Sequence, residues 1–567
     1  MSPRPFDPAR TPEETVLAYH ERTKHRFAQY AAGPGFMDWA TQPDPFRRYA
    51  GAPLVRLPLP AEDDPVAFGR LFVPADAEAA EAIASEPLTL GAVSRFFRYA
   101  LSLTAWKAYG DTKWALRANP SSGNLHPTEG YALLPALEGL HDAAAVHHYA
   151  PREHALERRA EIPAAVWSEL TAAFPPGSFF VGLSSIHWRE AWKYGERSFR
   201  YCQHDVGHAL GALRVAAARN GWGLRLLDGV GDADVAVLLG LDRDGGAPDA
   251  EREHPDLSAV VTPAPWASDR TATLPSAAIA ALPGAAWLGT ANVLSAAHSH
   301  EWPIVDEAAA ATAALRPPLV EDADGYPTEA EPVAGAPHAD EPPASQVVLG
   351  RRSAVSMDGR TSIPASAFFR MLARTVPVGG APRAPWDALP WRPRVHLGLF
   401  VHRVGGLTPG LYALVRDPAK VDELRAAMSP TFVWRRPTDA PSGLPLYLLR
   451  EGDARALTTN VSCGQHIAGD GAFSLGMIAD YLSSLVRYGA GFYRRLFWEA
   501  GLIGQVLYLE AEAAGVRATG IGCYFDDPVH EVFGLRDRAW QSLYHFTVGA
   551  PVDDARLSTL PAYPDAR

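Results

Sequence analysis

The chain has 567 residues, 47% of them hydrophobic and 20% charged, with a formal net charge of -12. It is too long for one hydrophobic core, and domain-size scaling predicts roughly three to five units, or two large ones with long connections. The negative balance excludes a general nucleic-acid or anionic-membrane partner and leaves room only for a local basic pocket.

Residues 1–10 hold three prolines and no apolar signal core, and no apolar run is long enough to span a bilayer. The expectation is a soluble cytoplasmic protein with no membrane partner. The three cysteines, Cys202, Cys463 and Cys523, form neither a close pair nor a CxxC spacing. That argues against a disulfide framework or a zinc site and for a reducing compartment.

In chain order, Thr11-Pro12-Glu13-Glu14 combines a capping threonine, a proline at the first helical position and a glutamate at the third. A helix is predicted from there to about Ala31. Helical spacing resumes at Leu88, with Leu90, Val93, Phe96, Phe97, Ala100, Leu101 and Leu103 apolar. It leads through Trp106-Lys107 to the densest polar turn of the chain, Asn119-Pro120-Ser121-Ser122-Gly123-Asn124-Leu125-His126-Pro127-Thr128-Glu129-Gly130-Tyr131, preceded by Arg117. A proline, hydroxyls, a glycine and amides before an apolar strand present backbone and short polar groups to a polar, planar ligand.

Val146 to Leu156 reads as a strand and turn before a short helix. Trp192-Lys193-Tyr194-Gly195-Glu196-Arg197 introduces a long helix, Ser198 to about Asn220, with Gly221 in the C-cap position. Residues 246–345 are rich in Ala, Pro, Asp and Glu and read as a connection, most flexible over Glu321–Ser345. Trp287-Leu288-Gly289 and Trp302-Pro303-Ile304 are apolar islands in it that dock on a neighbouring domain. Arg351-Arg352-Ser353 opens a second folded region.

The chain repeats itself. Phe199–His208 aligns with Tyr493–Leu502 at an offset of 294, matching Arg200 with Arg494, Asp205 with Glu499 and Gly207 with Gly501. Without a gap the offset carries Tyr194-Gly195 onto Tyr488-Gly489, Gly221 onto Gly515 and Gly240-Leu241 onto Gly534-Leu535. Val146–Leu156 has a counterpart in Gly410–Leu424 at another offset. Two copies of one domain follow. A mid-helix glycine costs about 1 kcal/mol against alanine, so its presence in both long helices predicts close packing of one on the other.

The Arg117 and Pro120–Glu129 string resembles the flavin-contacting turn of the nitroreductase superfamily, in the branch of SagB-type and thiazole/oxazole-forming dehydrogenases. Tyr19–His25 and Gln42–Tyr49 resemble the N-terminal lead of its tandem members. The resemblance covers about residues 11–245 and 346–560. It implies an α+β fold of two nitroreductase-like, FMN-dependent domains forming an intramolecular pseudo-dimer: a lead over 1–87, domain one over 88–245, the connection over 246–345 and domain two over 346–567.

FMN is the implied cofactor, held by Arg117, Pro120, Ser121, Ser122, Gly123 and Asn124 of copy one. In copy two, Arg351, Arg352 and Ser353 resemble the phosphate grip, and Gly520, Ile521 and Gly522 the loop along the ring. Arg556 is a second phosphate contact. Guanidinium groups and a hydroxyl suit a dianion, and glycines let main chain approach a ligand. Copy one has Leu226, Asp228 and Gly229 where copy two has Gly520, Gly522 and Cys523, and copy two has Pro377–Ala381 in place of the serine turn. The halves are therefore complementary, with one FMN per chain, and neither half alone holds it.

Lys193 and Tyr194 match the family's proton-transfer pair. Lysine occurs only five times in the chain, and the second copy has Arg487, which cannot act as a base. His204 and His208 have a zinc-compatible spacing, but Asp205 breaks HExxH and no third ligand follows, so no metal is expected. His126 lies within the turn, and Cys523 has no apparent thiol partner. The implied activity is FMN-dependent two-electron oxidation of a small-molecule or modified-peptide substrate, with oxygen or NAD(P)H as redox partner. The alternatives are an NAD(P)H-dependent nitro or quinone reductase and a non-catalytic scaffold in a peptide-modifying complex. As an intramolecular pseudo-dimer the chain could act as a monomer.

Overall fold

Two strands buried at every position, Phe179–Ile186 and Phe473–Asp480, lie at the centre of two antiparallel sheets. A strand buried on both faces must be covered on both by apolar elements. The first sheet runs Leu54–Arg56, Ala155–Glu161, Ala145–Ala150, Thr128–Leu134, Phe179–Ile186, Glu253–Thr262, Gly223–Leu226. The second runs Leu446–Glu451, Gly410–Leu414, Val395–Val401, Phe473–Asp480, Trp540–Gly549, Arg517–Ile521. This computed structural model describes residues 10–60, 64–72, 83–243, 248–264, 272–313, 341–377 and 384–564.

The 294-residue offset holds element by element. Phe179–Ile186, His187–Tyr194, Ser198–Arg219 and Asp232–Leu239 recur as Phe473–Asp480, Tyr481–Tyr488, Phe492–Ala513 and Asp526–Phe533. The two 22-residue helices, Ser198–Arg219 and Phe492–Ala513, pack on each other, and the paired glycines mark the crossing. A Cβ on Gly207 would overlap the Trp498 carbonyl, and one on Gly501 would overlap that of His204. The core runs through this crossing without a break between the sheets.

Several expectations change. The first helix has the predicted capping box but ends at Arg22, where Thr23 caps it and the His25 amide donates to Asp526 at 2.9 Å, drawing the chain onto the second half. Leu103 belongs not to the preceding helix, which spans Leu90–Ala100, but to a hairpin, Leu103–Tyr109 with Thr112–Arg117. Leu156 lies in a second strand, because the turn before it returns the chain antiparallel. Glu253–Thr262 falls within the expected connection, yet it is an inner strand of the first sheet, its sequence buried from Asp256 onward. The expected boundary at 245 therefore cuts a sheet. Most of Glu321–Ser345, and Val378–Ala381, lie outside the described residues.

The tail crosses between halves. Ser558–Leu560 pairs with Leu103–Tyr109, and Tyr563 accepts from the Leu103 amide at 3.0 Å.

Buried imidazoles set the pH response. Burial holds His147, His154, His208, His396 and His545 down at about 3. The unfolded chain takes up these protons near pH 6.5, so each costs roughly 1.4 kcal/mol per pH unit as pH falls from there to about 3. His148 opposes them. Against desolvation, Glu129 and Glu157 raise it to about 9, so its contribution is full below pH 6.5 and lost as pH rises through 9. The thermal unfolding midpoint is expected to fall further between pH 7 and 5 than between pH 7 and 9, which a circular-dichroism melt at the three pH values checks.

Candidate functional site

The serine turn forms one short 3-10 turn, Ser122–Asn124, with Gly123, Asn124 and His126 at φ of 58°, 59° and 52°. This left-handed stretch explains glycine and asparagine at 123 and 124. The Ser122 amide and hydroxyl donate to Asp205 at 3.0 and 3.2 Å, Asn124 donates to the Ala115 carbonyl at 2.7 Å, and the His126 amide donates to Ser121 Oγ at 2.8 Å. The turn is thus fastened to the long helix beneath it and to the hairpin beside it.

A cavity of about 750 Å³ opens over the turn, within the usual range for small-molecule sites. Arg117 and Pro120, Ser121, Ser122, Gly123 and Asn124 line it from the first half, with Tyr194, Tyr201, Asp205 and His208. Arg351, Arg352, Ser353, Gly520, Ile521, Gly522 and Cys523 line it from the second, with Tyr508 and Tyr544. The crossed hairpin and tail form the outer wall, where Lys107 Nζ donates to Thr559 Oγ1 at 2.7 Å.

Arg556 is placed elsewhere. It is not among the lining residues, and it pairs with Asp554 at 2.7 Å and reaches over Tyr109 at the surface. The glycines of the second-half loop also act differently from the expectation. A Cβ on Gly520 would strike Tyr544 and one on Gly522 would strike Tyr201, so these glycines make room for the tyrosines of the cavity.

One wall is strongly cationic. Arg351 is 4% exposed, stacks over Tyr508 and gives only Nη2 to the Arg117 carbonyl, leaving Nε and Nη1 without partners. Arg117 donates to the carbonyls of Pro45 and Thr128, and its Nε is also unpaired. Arg352 is held by Thr104 and by the Leu349 and Arg351 carbonyls. None of the three has a carboxylate at ion-pair distance among the described residues. Burial pulls Arg117 and Arg352 down to about 10 and lowers Arg351 as well. Clustered guanidiniums with unmet donors suit an anion with several oxygens, such as a phosphate.

Proton-handling groups gather at the other end. Lys193 and Tyr194 are half-buried, and their Nζ and Oη lie against Gly123, where a Cβ would meet them at 3.1 and 2.5 Å. Lys193 makes no ion pair among the described residues; Glu196 is taken by Arg22 and Asp205 by Ser122. Burial, then Glu190, raises Tyr194 well above the usual phenol range. Asp205, 1% exposed, is pushed up to about 7 by burial against the Ser121 and Ser122 hydrogen bonds. Glu190 is fully buried without hydrogen-bond partners, and its pKa is raised by burial and then by Asp205. His204 and His208 do not converge on a metal, since His204 contacts the Leu543 carbonyl and His208 the Tyr544 hydroxyl.

Asp205 is the functional candidate that motif reading passed over. Its only signal was the pairing with Glu499 across the repeat. The mirror position differs sharply. Glu499 is occupied by the Trp391 indole, Arg416 and the amides of Arg394 and Val395. The space beside Leu226, Asp228 and Arg495 is only about 20 Å³. The N-terminal lead, to which sequence reading attached no chemistry, is tied to the second half through Lys24–Asp527 and His25–Asp526. Cys523 has a thiol neighbour after all in Cys463, distant in sequence.

Residues 440–550 match the Nitroreductase family model. A nitroreductase-like protein from Anabaena variabilis is 22% identical, with 95% of this chain and 99% of its own covered and a TM-score of 0.67. At that identity the likeness is one of fold, and it extends over both halves. An E. coli microcin synthetase McbBCD complex with truncated pro-MccB17 bound matches at 17% identity over 46% of this chain and 84% of its own, TM-score 0.25. A nitroreductase-like protein from Exiguobacterium sibiricum, in complex with FMN, matches at 14% identity over 37% and 88%, TM-score 0.21. Among curated proteins the sequence finds no match. No helix among the described residues is long and apolar enough to cross a membrane.

Proposed function

We propose that this protein is an FMN-dependent oxidoreductase of the SagB type, folded as an intramolecular pseudo-dimer of two nitroreductase-like domains with one working flavin site. The observation that carries this reading is the asymmetry of the two mirror positions. One is a cavity of about 750 Å³ with unpaired guanidiniums and a lysine at its edge, and the other is reduced to about 20 Å³ by side chains.

Arg351, Arg352 and Arg117 would hold the phosphate, and the Ser121–Asn124 turn with Gly520–Gly522 would flank the ring. When bound, the flavin supplies a two-electron acceptor for hydride from a substrate C–H next to a heteroatom. Tyr194, kept protonated by burial, donates a hydrogen bond or a proton toward the substrate. Lys193, uncommitted to any carboxylate, relays a proton at the same edge. Asp205, pushed up to about 7 by burial, takes up or releases a proton at its own carboxylate near neutral pH while the Ser122 amide and hydroxyl hold it in place. The substrate is a small molecule or a modified peptide, and the electrons pass on to oxygen or another acceptor.

The visible spectrum and flavin content of the purified chain test the reading. One flavin per chain is expected, and two per chain or none would overturn it. Lys193→Ala is expected to lower turnover by ~10²–10⁴-fold at unchanged flavin content, measured with the first substrate found to reduce the chain. Asp205→Asn is expected to remove the limb near pH 7 from the kcat/KM profile.

A further inference from the structure

Cys463 and Cys523 are brought together by bonds on either side of them. The Phe525 amide donates to the Val461 carbonyl at 2.8 Å, and the Gln465 side-chain amide donates to the Cys523 carbonyl at 2.8 Å and to the Ser462 carbonyl at 3.0 Å. These clasps set the Cys463 and Cys523 thiols beside each other, close enough to interact. Cys463 holds φ +54°, a left-handed conformation uncommon for a residue with a Cβ, and Gly464 follows at +72°. Such local geometry persists only where the surroundings dictate it, and it concentrates at functional sites. Both thiols are half-buried, and Cys523 lines the cavity beside Gly522.

A hydrogen-bond donor stands next to the pair. His25 Nδ1 accepts the Ala31 amide at 3.0 Å, so its proton sits on Nε2, and the ring hydrogen-bonds to the Cys523 thiol. Arg197 donates to the Gly522 carbonyl at 3.2 Å, placing a guanidinium beside the same residue. The Tyr30 hydroxyl reaches Cys463. We propose that Cys463 and Cys523 are a redox-active dithiol at the cavity rim that closes to a disulfide by exchange with low-molecular-weight disulfides, Cys523 attacking and Cys463 resolving.

Position assigns the order. The Arg197 guanidinium at the Gly522 carbonyl, and His25, whose carbonyl accepts the Asp526 amide, stand on the Cys523 side and favour its thiolate. The Cys523 thiolate attacks one sulfur of the incoming disulfide, breaking its S–S bond and expelling one thiolate. Cys463, losing its proton, then attacks Cys523 Sγ and expels the second thiolate. Two protein thiols are oxidised to one disulfide, one small disulfide is reduced to two thiols, and the two protein protons pass to the leaving thiolates. Cys202, fully buried with a thiol raised by desolvation, takes no part.

The test uses the full chain and oxidised glutathione, with thiols trapped by alkylation and mapped by mass spectrometry. The expected product is a Cys463–Cys523 disulfide, reversed by dithiothreitol, with Cys202 left as a free thiol. Cys463→Ser should stop at glutathionylated Cys523, and Cys523→Ser should leave Cys463 unmodified over the same interval. In the unsubstituted chain, iodoacetamide near pH 6 should alkylate Cys523 at least ~10-fold faster than Cys463, as thiolate character dictates. Three free thiols after glutathione treatment, a disulfide involving Cys202, or Cys463 as the faster site would overturn the proposal. The readout is protein mass and needs no flavin, so its failure and that of the flavin reading are distinguishable.

Discussion

Arg351→Met is expected to yield a folded chain that no longer retains flavin. The guanidinium is 4% exposed and keeps Nε and Nη1 unpaired, with one bond to the Arg117 carbonyl. A phosphate oxygen on each free nitrogen would make two charge-assisted bonds of ~1.5–3 kcal/mol apiece. Their loss weakens flavin binding by about 10²–10⁴-fold, read as the dissociation constant of added FMN. Methionine keeps the packing against Tyr508 and removes a buried charge that has no carboxylate partner, so the flavin-free variant should melt no lower than flavin-free parent. A variant that melts well below that parent would mean the side chain is chiefly structural, and retained flavin would remove Arg351 from the phosphate site.

Gly207→Leu is expected to separate what Arg351 joins. At the helix crossing the Trp498 backbone occupies the place of a side chain at 207, and the partner glycine, Gly501, sits against the His204 carbonyl. Backbone cannot turn aside as a side chain can, so the helices must move apart, at a cost of about 1–3 kcal/mol or more for overpacking. Because the cavity draws on both helices and both halves, flavin content should fall with the melting temperature. Gly211→Ala is the control. Its Cβ would meet Gln505 Cβ and Cγ at 3.0 and 3.1 Å and Leu502 Cγ at 3.5 Å, tight side-chain contacts without the backbone overlap at 207, so a smaller loss is expected. Equal losses from the two variants would show that the crossing carries no special constraint. By the same reasoning, neither half expressed alone should hold flavin.

Much of this was legible in the sequence. The 294-residue offset, read from a short helix segment, reproduces one strand and three helices to the residue, because glycine caps and apolar periodicity are local signals that repeat with the fold. The turn at Ser122–Asn124 was legible for the same reason: serine, glycine and asparagine answer to backbone angles set within the turn. What misled was anything decided by a partner far along the chain. Gly520 and Gly522 were read as making way for a ligand, and the volume they spare is filled by Tyr544 and Tyr201. Arg556 follows a strand in the expected place, but Asp554, two residues away, claims it at the surface. The connection from 246 looked structureless by composition, yet it holds an inner strand of the first sheet.

Local spacing in the sequence by itself determined the 294-residue repeat and the glycine pair at which the two long helices cross. Only the tertiary structure decided how far the mirror position is filled, with side chains leaving about 20 Å³ beside Leu226, Asp228 and Arg495. It also decided that Asp205, left to the serine turn, is pushed up to about 7 by burial, and that two cysteines 60 residues apart are brought side by side. The physical reason is common to all of these. Backbone conformation answers to neighbours in sequence, whereas burial, charge pairing and cavity volume answer to neighbours in space.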